Sequence, residues 1–236
     1  MTRAQKIPGG LTLLAMIAIS LPVTVLAQAE QAERIRHAAT VLDEIMRAGD
    51  QAVPSSVLGK AEAVAVFPST IKGGFVLAAH RGKGLISVRN RVTGDWSLPA
   101  FLTVTGGSIG AQIGAQSVDL VLVVMNRRGL ENLLQNQFTV GADGSVAAGP
   151  VGRSAEASTD IQMRAEILSY SRTRGLFAGV SLNGAAIRQD RDANEDFYGD
   201  PFRTRSIVLD GKATPQSHTE DIDTWRQALA KYAQPK

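Results

Sequence analysis

Two kinds of stretch in this chain hold residues that could do chemistry. Gly106-Gly107-Ser108-Ile109-Gly110 matches G-x-S-x-G, the pattern in which a serine hydroxyl stands on a sharp strand-to-helix turn as an acyl-transfer nucleophile. The second kind is cationic. His80-Arg81-Gly82-Lys83-Gly84 and Ser171-Arg172-Thr173-Arg174-Gly175, with Lys72 just before Gly73-Gly74, place Lys72, Arg81, Lys83, Arg172 and Arg174 among glycines. Guanidinium and ammonium donors beside accessible backbone N–H groups suit the recognition of a phosphate or a similar anionic headgroup.

The nucleophile pattern fails its own requirements. A helix should follow the serine, but "IGAQIGAQSVDLVLVVM" is glycine-broken and β-prone; the only downstream histidine, His218, lies in a polar segment before the last helix. Serine hydrolase chemistry at Ser108 is therefore the third-ranked reading. The glycines do not spell G-x-G-x-x-G, and Gly59-Lys60 and Gly211-Lys212 are each followed by alanine, so no phosphate loop of the Walker type is present. Thr105, Gln112 and Gln116 argue against a membrane helix. Read as a strand, the stretch puts Gly106, Ser108, Gly110, Gln112 and Gly114 on one nearly bare face, which marks a bend or a place where another backbone or a ligand comes close.

Composition narrows the classes further. The chain has 236 residues, 44% of them hydrophobic and 20% charged, which suits a folded domain with a sizeable core. There is no cysteine and there are only three histidines, so a disulfide framework and a thiolate metal site are excluded, and no metal or cofactor is expected. The first residues read as a signal peptide, 1–27: Arg3 and Lys6 are the basic region, Leu11 to Leu21 the apolar region, and Val25-Leu26-Ala27 the cleavage site, with Pro22 interrupting any span. Cleavage after Ala27 predicts an exported, periplasmic protein, 28–236, associated peripherally with a membrane. Of the 25 Lys+Arg and 22 Asp+Glu, the signal removes Arg3 and Lys6, leaving 23 against 22. That balance does not support nucleic-acid binding, and any anion recognition must be local.

The elements that would position the basic residues follow from periodicity. Residues 29 to 48 form an amphipathic helix with Ile35, Ala38, Leu42 and Ile45 on its apolar side and Gly49 as its stop. Pro54 starts a short helix. From Ala63 the period shortens to that of strands: "AVAVFP", "GGFVLAAHR", "LISVRNR", "WSLPAFLTVTGG" and "DLVLVVMN". "RGLENLLQN" is a helix of about two turns. Asp143-Gly144 reads as a hairpin turn between "FTV" and "VAA", and two strands meet around Arg174-Gly175. "DRDANEDFYGDP" is a loop or short helix, and 217–233 is a capped helix with Ile222, Trp225 and Leu229 inward. "HRGKG" and "SRTRG" both read as strand, basic turn, strand. If the two hairpins lie side by side, their cations form one rim; if not, they are solubilising charges at turn tips.

Taken in order, Lys72-Gly73-Gly74-Phe75 after Pro68, Trp96-Ser97-x-Pro99-x-Phe101, Gly106-x-x-x-Gly110-x-Gln112-x-Gly114 with Asp119, Tyr170-Ser171-x-x-x-Gly175-Leu176-Phe177-Ala178-Gly179-x-Ser181-Leu182-x-Gly184, and Phe197-Tyr198-Gly199 resemble the SYLF domain over roughly residues 33 to 200. The resemblance implies a non-enzymatic lipid-binding protein; eukaryotic members bind phosphoinositides and some bind actin, a partner not expected for an exported chain. The implied ligand is an anionic phospholipid or phosphoinositide-like headgroup at a membrane surface of the cell envelope, the alternative being an envelope protein-interaction module. The expected fold is α+β: a glycine-rich antiparallel sheet or partly closed barrel flanked by helices. Lys72, Arg81, Lys83, Arg172 and Arg174 are the expected headgroup contacts.

Overall fold

In a computed structural model, residues 23–49, 52–73, 78–108, 116–151, 165–173, 176–179, 182 and 184–233 are described. They form nine strands and six helices: α1 (Val23–Met46), α2 (Ser55–Gly59), β1 (Ala63–Gly73), β2 (Ala78–Val88), β3 (Ala100–Ser108), β4 (Gln116–Val124), α3 (Arg127–Leu133), β5 (Gln137–Thr139), β6 (Val146–Ala148), β7 (Ile167–Thr173), β8 (Leu176–Gly179), β9 (Ala186–Gln189), α4 (Arg191–Tyr198), α5 (Thr204–Val208) and α6 (Thr219–Tyr232). The expected α+β class holds.

All the strands join one sheet in the order β5-β9-β3-β2-β1-β4-β7-β6, with β8 also on β7; every pairing is antiparallel except β6 with β7. β1 lies near the middle. Ala63 to Phe67 are all fully buried, as a strand covered on both faces should be, and this accounts for their unbroken apolar run. One face carries α1, α4 and α6. There Arg34 of α1 lies over the Phe101 ring at 5.1 Å, Phe197 of α4 meets Phe101 edge-on at 5.4 Å, and Trp225 of α6 donates its indole N–H to Ser87 Oγ at 2.9 Å. Ile35, Ala38, Leu42 and Ile45 are buried, so the apolar stripe of α1 is a packing face. Among the described residues, no helix is long and apolar enough to cross a membrane.

The sheet curls into a half-barrel. Its two edge strands, β5 and β6, are consecutive in the chain and are joined by residues 140–145, so the ends of the strand order are held within one short connection. The expected hairpin between them does not form. The Asp143 turn is real, with Thr139 N–H donating to Asp143 Oδ2 at 2.6 Å and Gly141 at φ 89°, but β5 pairs with β9 and β6 pairs with β7.

The "HRGKG" segment also departs from expectation: it is strand, not turn. β2 pairs with β3 without interruption from Ala78↔Ser108 to Ile86↔Ala100, so His80 to Gly84 lie inside it. The glycine at 84 answers a packing need. A Cβ there would stand 2.4 Å from both Phe67 Cδ1 and the Val66 carbonyl oxygen, so the residue is bare because Phe67 lies across it. Gly106 is a second close approach, where a Cβ would fall 2.8 Å from Ala185 Cα; this is the thin strand face expected from the sequence. Gly110 and Gly114 lie outside the described residues.

Candidate functional site

The sheet register decides whether the expected cations converge. Lys72 on β1 stands opposite His80 on β2 and Gln116 on β4; Arg81 stands opposite Ile71, which stands opposite Ser117. On the far side of β4, Asp119 stands opposite Arg172. The backbones of Lys72, Arg81, Lys83 and Arg172 therefore gather at one end of the sheet, on either side of β4. Arg174 and Gly175, which connect β7 to β8, lie outside the described residues.

Two of these side chains are already engaged, both with α1. Lys83 is exposed and its Nζ lies 2.8 Å from Glu30 Oε1. That hydrogen bond, aided by the charges of Lys83 and Arg34, holds the Glu30 carboxyl below the usual carboxylate range. Arg172 is partly buried; its Nε donates to Asp119 Oδ2 at 2.8 Å, its Nη2 lies 2.6 Å from the same oxygen, and its Nη1 pairs with Glu44. Asp119 has a second task. Its other oxygen accepts the Ser69 N–H at 2.9 Å, where β1 bulges between Phe67 and Thr70 and Ser69 takes φ 51°. Pro68, which has no N–H for the ladder, sits in this bulge. The site is thus a cluster of cations and carboxylates braced by α1, rather than a bare basic rim.

The residues that would form a nucleophile elbow after Ser108, 109–115, lie outside the described residues. Ser108 is the last residue of β3, paired with Ala78, and β4 begins at Gln116. His218 caps α6, with its ring stacked on Phe197 and Nδ1 3.4 Å from Asp221. Among the described residues no group of His, Asp and Glu is arranged to hold a metal ion.

Sequence reasoning missed a second cationic feature at the opposite end of β2. Arg89, just past Val88, pairs its backbone with Trp96 across the 90–95 turn, and the two residues line a pocket of about 470 Å³ with Arg91, Arg127, Arg226, Val208 at the end of α5 and Leu209 just after it. Arg89 and Arg226 are 137 positions apart and belong to no motif, so only the docking of α6 on the sheet brings them together. At the tip of the same turn, Val92 is 93% exposed.

Comparison with known proteins gives the family. A family model described as Ysc84, "Las17-binding protein actin regulator", matches residues 105–232, reaching the C-terminal helix that the motif resemblance left out. LAS seventeen-binding protein 3 of Saccharomyces cerevisiae is 36% identical over 169 residues, covering 70% of this chain and 36% of that protein. SH3 domain-containing YSC84-like protein 1 of Homo sapiens is 30% identical over 203 residues, covering 86% of this chain and 58% of that protein. The chain thus matches about a third to somewhat over half of these relatives' length, and the yeast relative is named as a binding protein. The chain belongs to the Ysc84 family, the family of the SYLF domain.

Proposed function

We propose that this protein binds anionic phospholipid headgroups at a membrane surface, without chemical turnover, through the end of the sheet where Lys72, Arg81, Lys83 and Arg172 gather. The observation that carries this reading is the register itself: β1, β2 and β7 bring cations from separate parts of the sequence to one end, around β4. Cations near an anionic bilayer contribute about 1 kcal/mol each, and the contribution weakens with salt. Glu30 and Glu44, held against Lys83 and Arg172, moderate that attraction and set its strength.

The protein reaches its membrane by export, with residues 1–27 removed after Ala27. The relatives' printed names favour one second reading, a partner-binding module, whose partner for an exported chain we infer to be an envelope protein.

Co-sedimentation of the exported form, its N-terminus read by mass spectrometry, tests both readings. Vesicles of phosphatidylcholine alone are compared with vesicles containing phosphatidylglycerol or cardiolipin, at low and high salt. Binding that requires the anionic lipid, and that drops at least tenfold when Lys72, Arg81, Lys83 and Arg172 become alanine in a folded protein, is the expected result. No binding to any vesicle removes the lipid reading and leaves the protein partner. An N-terminus other than Gln28 overturns the cleavage assignment.

A further inference from the structure

We propose that the pocket between the 89–97 turn, α5 and α6 is a second anion site, built around Arg89 and Arg226 for a phosphate-class group, free or carried on a lipid headgroup. It uses none of the residues of the basic sheet end and does not depend on that reading.

The argument starts from how each arginine of the pocket is satisfied. Arg91 is closed: its Nε and Nη2 grip Glu62 at 2.9 and 2.6 Å, a two-pronged pair that uses the fork a ligand would need. Arg127 is closed by Glu131 one helical turn on. Arg89 and Arg226 differ. Each is half-buried, and each is held by a backbone carbonyl rather than a carboxylate: Arg89 Nη1 donates to Gly59 O at 2.9 Å, and Arg226 Nε donates to Trp96 O at 2.7 Å. A guanidinium has five N–H donors, so these bonds fix the two groups in place and leave most of their donors and both charges unspent.

One structural unit sets both. The Arg89↔Trp96 bridge closes the turn, and the carbonyl of Trp96 holds Arg226, whose neighbour Trp225 is fully buried and tied to Ser87. The forks are thus positioned by the sheet and by α6 before any ligand arrives. Planar forks oriented in advance are the arrangement that recognises phosphate and related oxyanions. Asp95 is the one carboxylate lining this pocket, and it makes no ion pair with either arginine. The space, about 470 Å³, is ample for a hydrated phosphoryl group, since one water occupies about 30 Å³.

The test is calorimetric titration of the full chain with inorganic phosphate and pyrophosphate, beside vesicle co-sedimentation with phosphatidylglycerol. Saturable anion binding is expected in the wild type, reduced at least tenfold in Arg89→Gln/Arg226→Gln. Arg188→Gln, which changes an exposed arginine on β9, is expected to match the wild type within twofold. Asp95→Asn is expected to tighten binding several-fold by removing the opposing charge, and because that change is a gain, it guards against a loss caused by misfolding. If the double variant loses vesicle binding as well, the anion is a lipid headgroup; if vesicle binding persists while the titration is lost, the ligand is a free anion. No saturable heat with either anion in folded wild type, or an equal loss in Arg188→Gln, overturns the site.

Discussion

The strongest consequence of the ion pairs between α1 and the sheet is that removing acids should improve membrane binding. In Glu30→Gln/Glu44→Gln, Lys83 loses the one carboxylate it pairs with among the described residues, and Arg172 loses Glu44 while keeping Asp119. The local charge at the basic end rises by two. At about 1 kcal/mol per charge near an anionic bilayer this amounts to about 2 kcal/mol, or roughly 30-fold in affinity at low ionic strength. The cost to the fold is small. The Lys83 and Glu30 side chains are 59% and 57% exposed, and pairs of that kind contribute about 0 to 1 kcal/mol. Arg172 remains anchored by Asp119, so the β1 bulge keeps its brace. The assay is partitioning onto phosphatidylcholine vesicles with increasing phosphatidylglycerol, with unfolding in urea measured alongside. The gain should shrink towards the wild type near 1 M salt, where the screening length is about 3 Å. Glu195→Gln/Glu220→Gln, which makes the same charge change on α4 and α6, should tighten binding less than threefold. A folded Glu30→Gln/Glu44→Gln protein that binds no tighter than the wild type, or no tighter than this control, refutes the placement of the membrane contact.

Three further outcomes follow from the packing. Gly84→Ala should cost about 1–3 kcal/mol of stability in urea unfolding, because the new Cβ meets the backbone oxygen of Val66 as well as Phe67; an unchanged midpoint would mean that β2 and β1 are not so closely apposed. Trp225→Phe should cost about 1–3 kcal/mol, since it leaves the buried Ser87 hydroxyl without its partner. Adding Ser87→Ala should then restore part of that loss, and no recovery would exclude the hydrogen bond as its source. The Asp43 carboxyl is held below its ordinary value by the Tyr232 hydroxyl, with Lys231 and Arg47 adding to the effect. A depressed folded value means that its contribution is full above the unfolded value near 3.9 and is lost as pH falls through the folded one. The urea midpoint of the wild type should therefore fall further between pH 5 and pH 3 than that of Asp43→Asn, and equal declines would contradict the assignment.

Where one element's own pattern decides its structure, the sequence was a good guide. The buried stripes of α1 and α6 and the strand character of β1 and β4 follow from apolar spacing, and the ordered motifs pointed to the family. Errors arose where distant residues decide. Gly82 and Gly84 look like a turn because nothing nearby reveals that Phe67 will lie over β2. Asp143-Gly144 is a turn, but the partners of its flanking strands, β9 and β7, come later in the chain. The cations of the basic end were nameable from their glycine-rich surroundings, whereas their carboxylate partners were not: Glu30 and Glu44 look like ordinary solvated positions on a helix. The Arg89 and Arg226 pocket left no local trace, because it exists only after the last helix has docked.

That last helix also shapes the order of folding. α1 packs against α6, and Asp43 accepts hydrogen bonds from Lys231 and Tyr232 while Arg36 pairs with Asp221, contacts that span 185 positions or more. Closing so long a loop is entropically late, and contacts of this range slow folding. Until the final fourteen-residue helix is available, the apolar side of α1 has no complete docking surface, and the β1–β2 and β7–β8 hairpins form without their clasp. The helices α1 and α6 therefore act as a single closing step, and a growing chain stays open until α6 has been made.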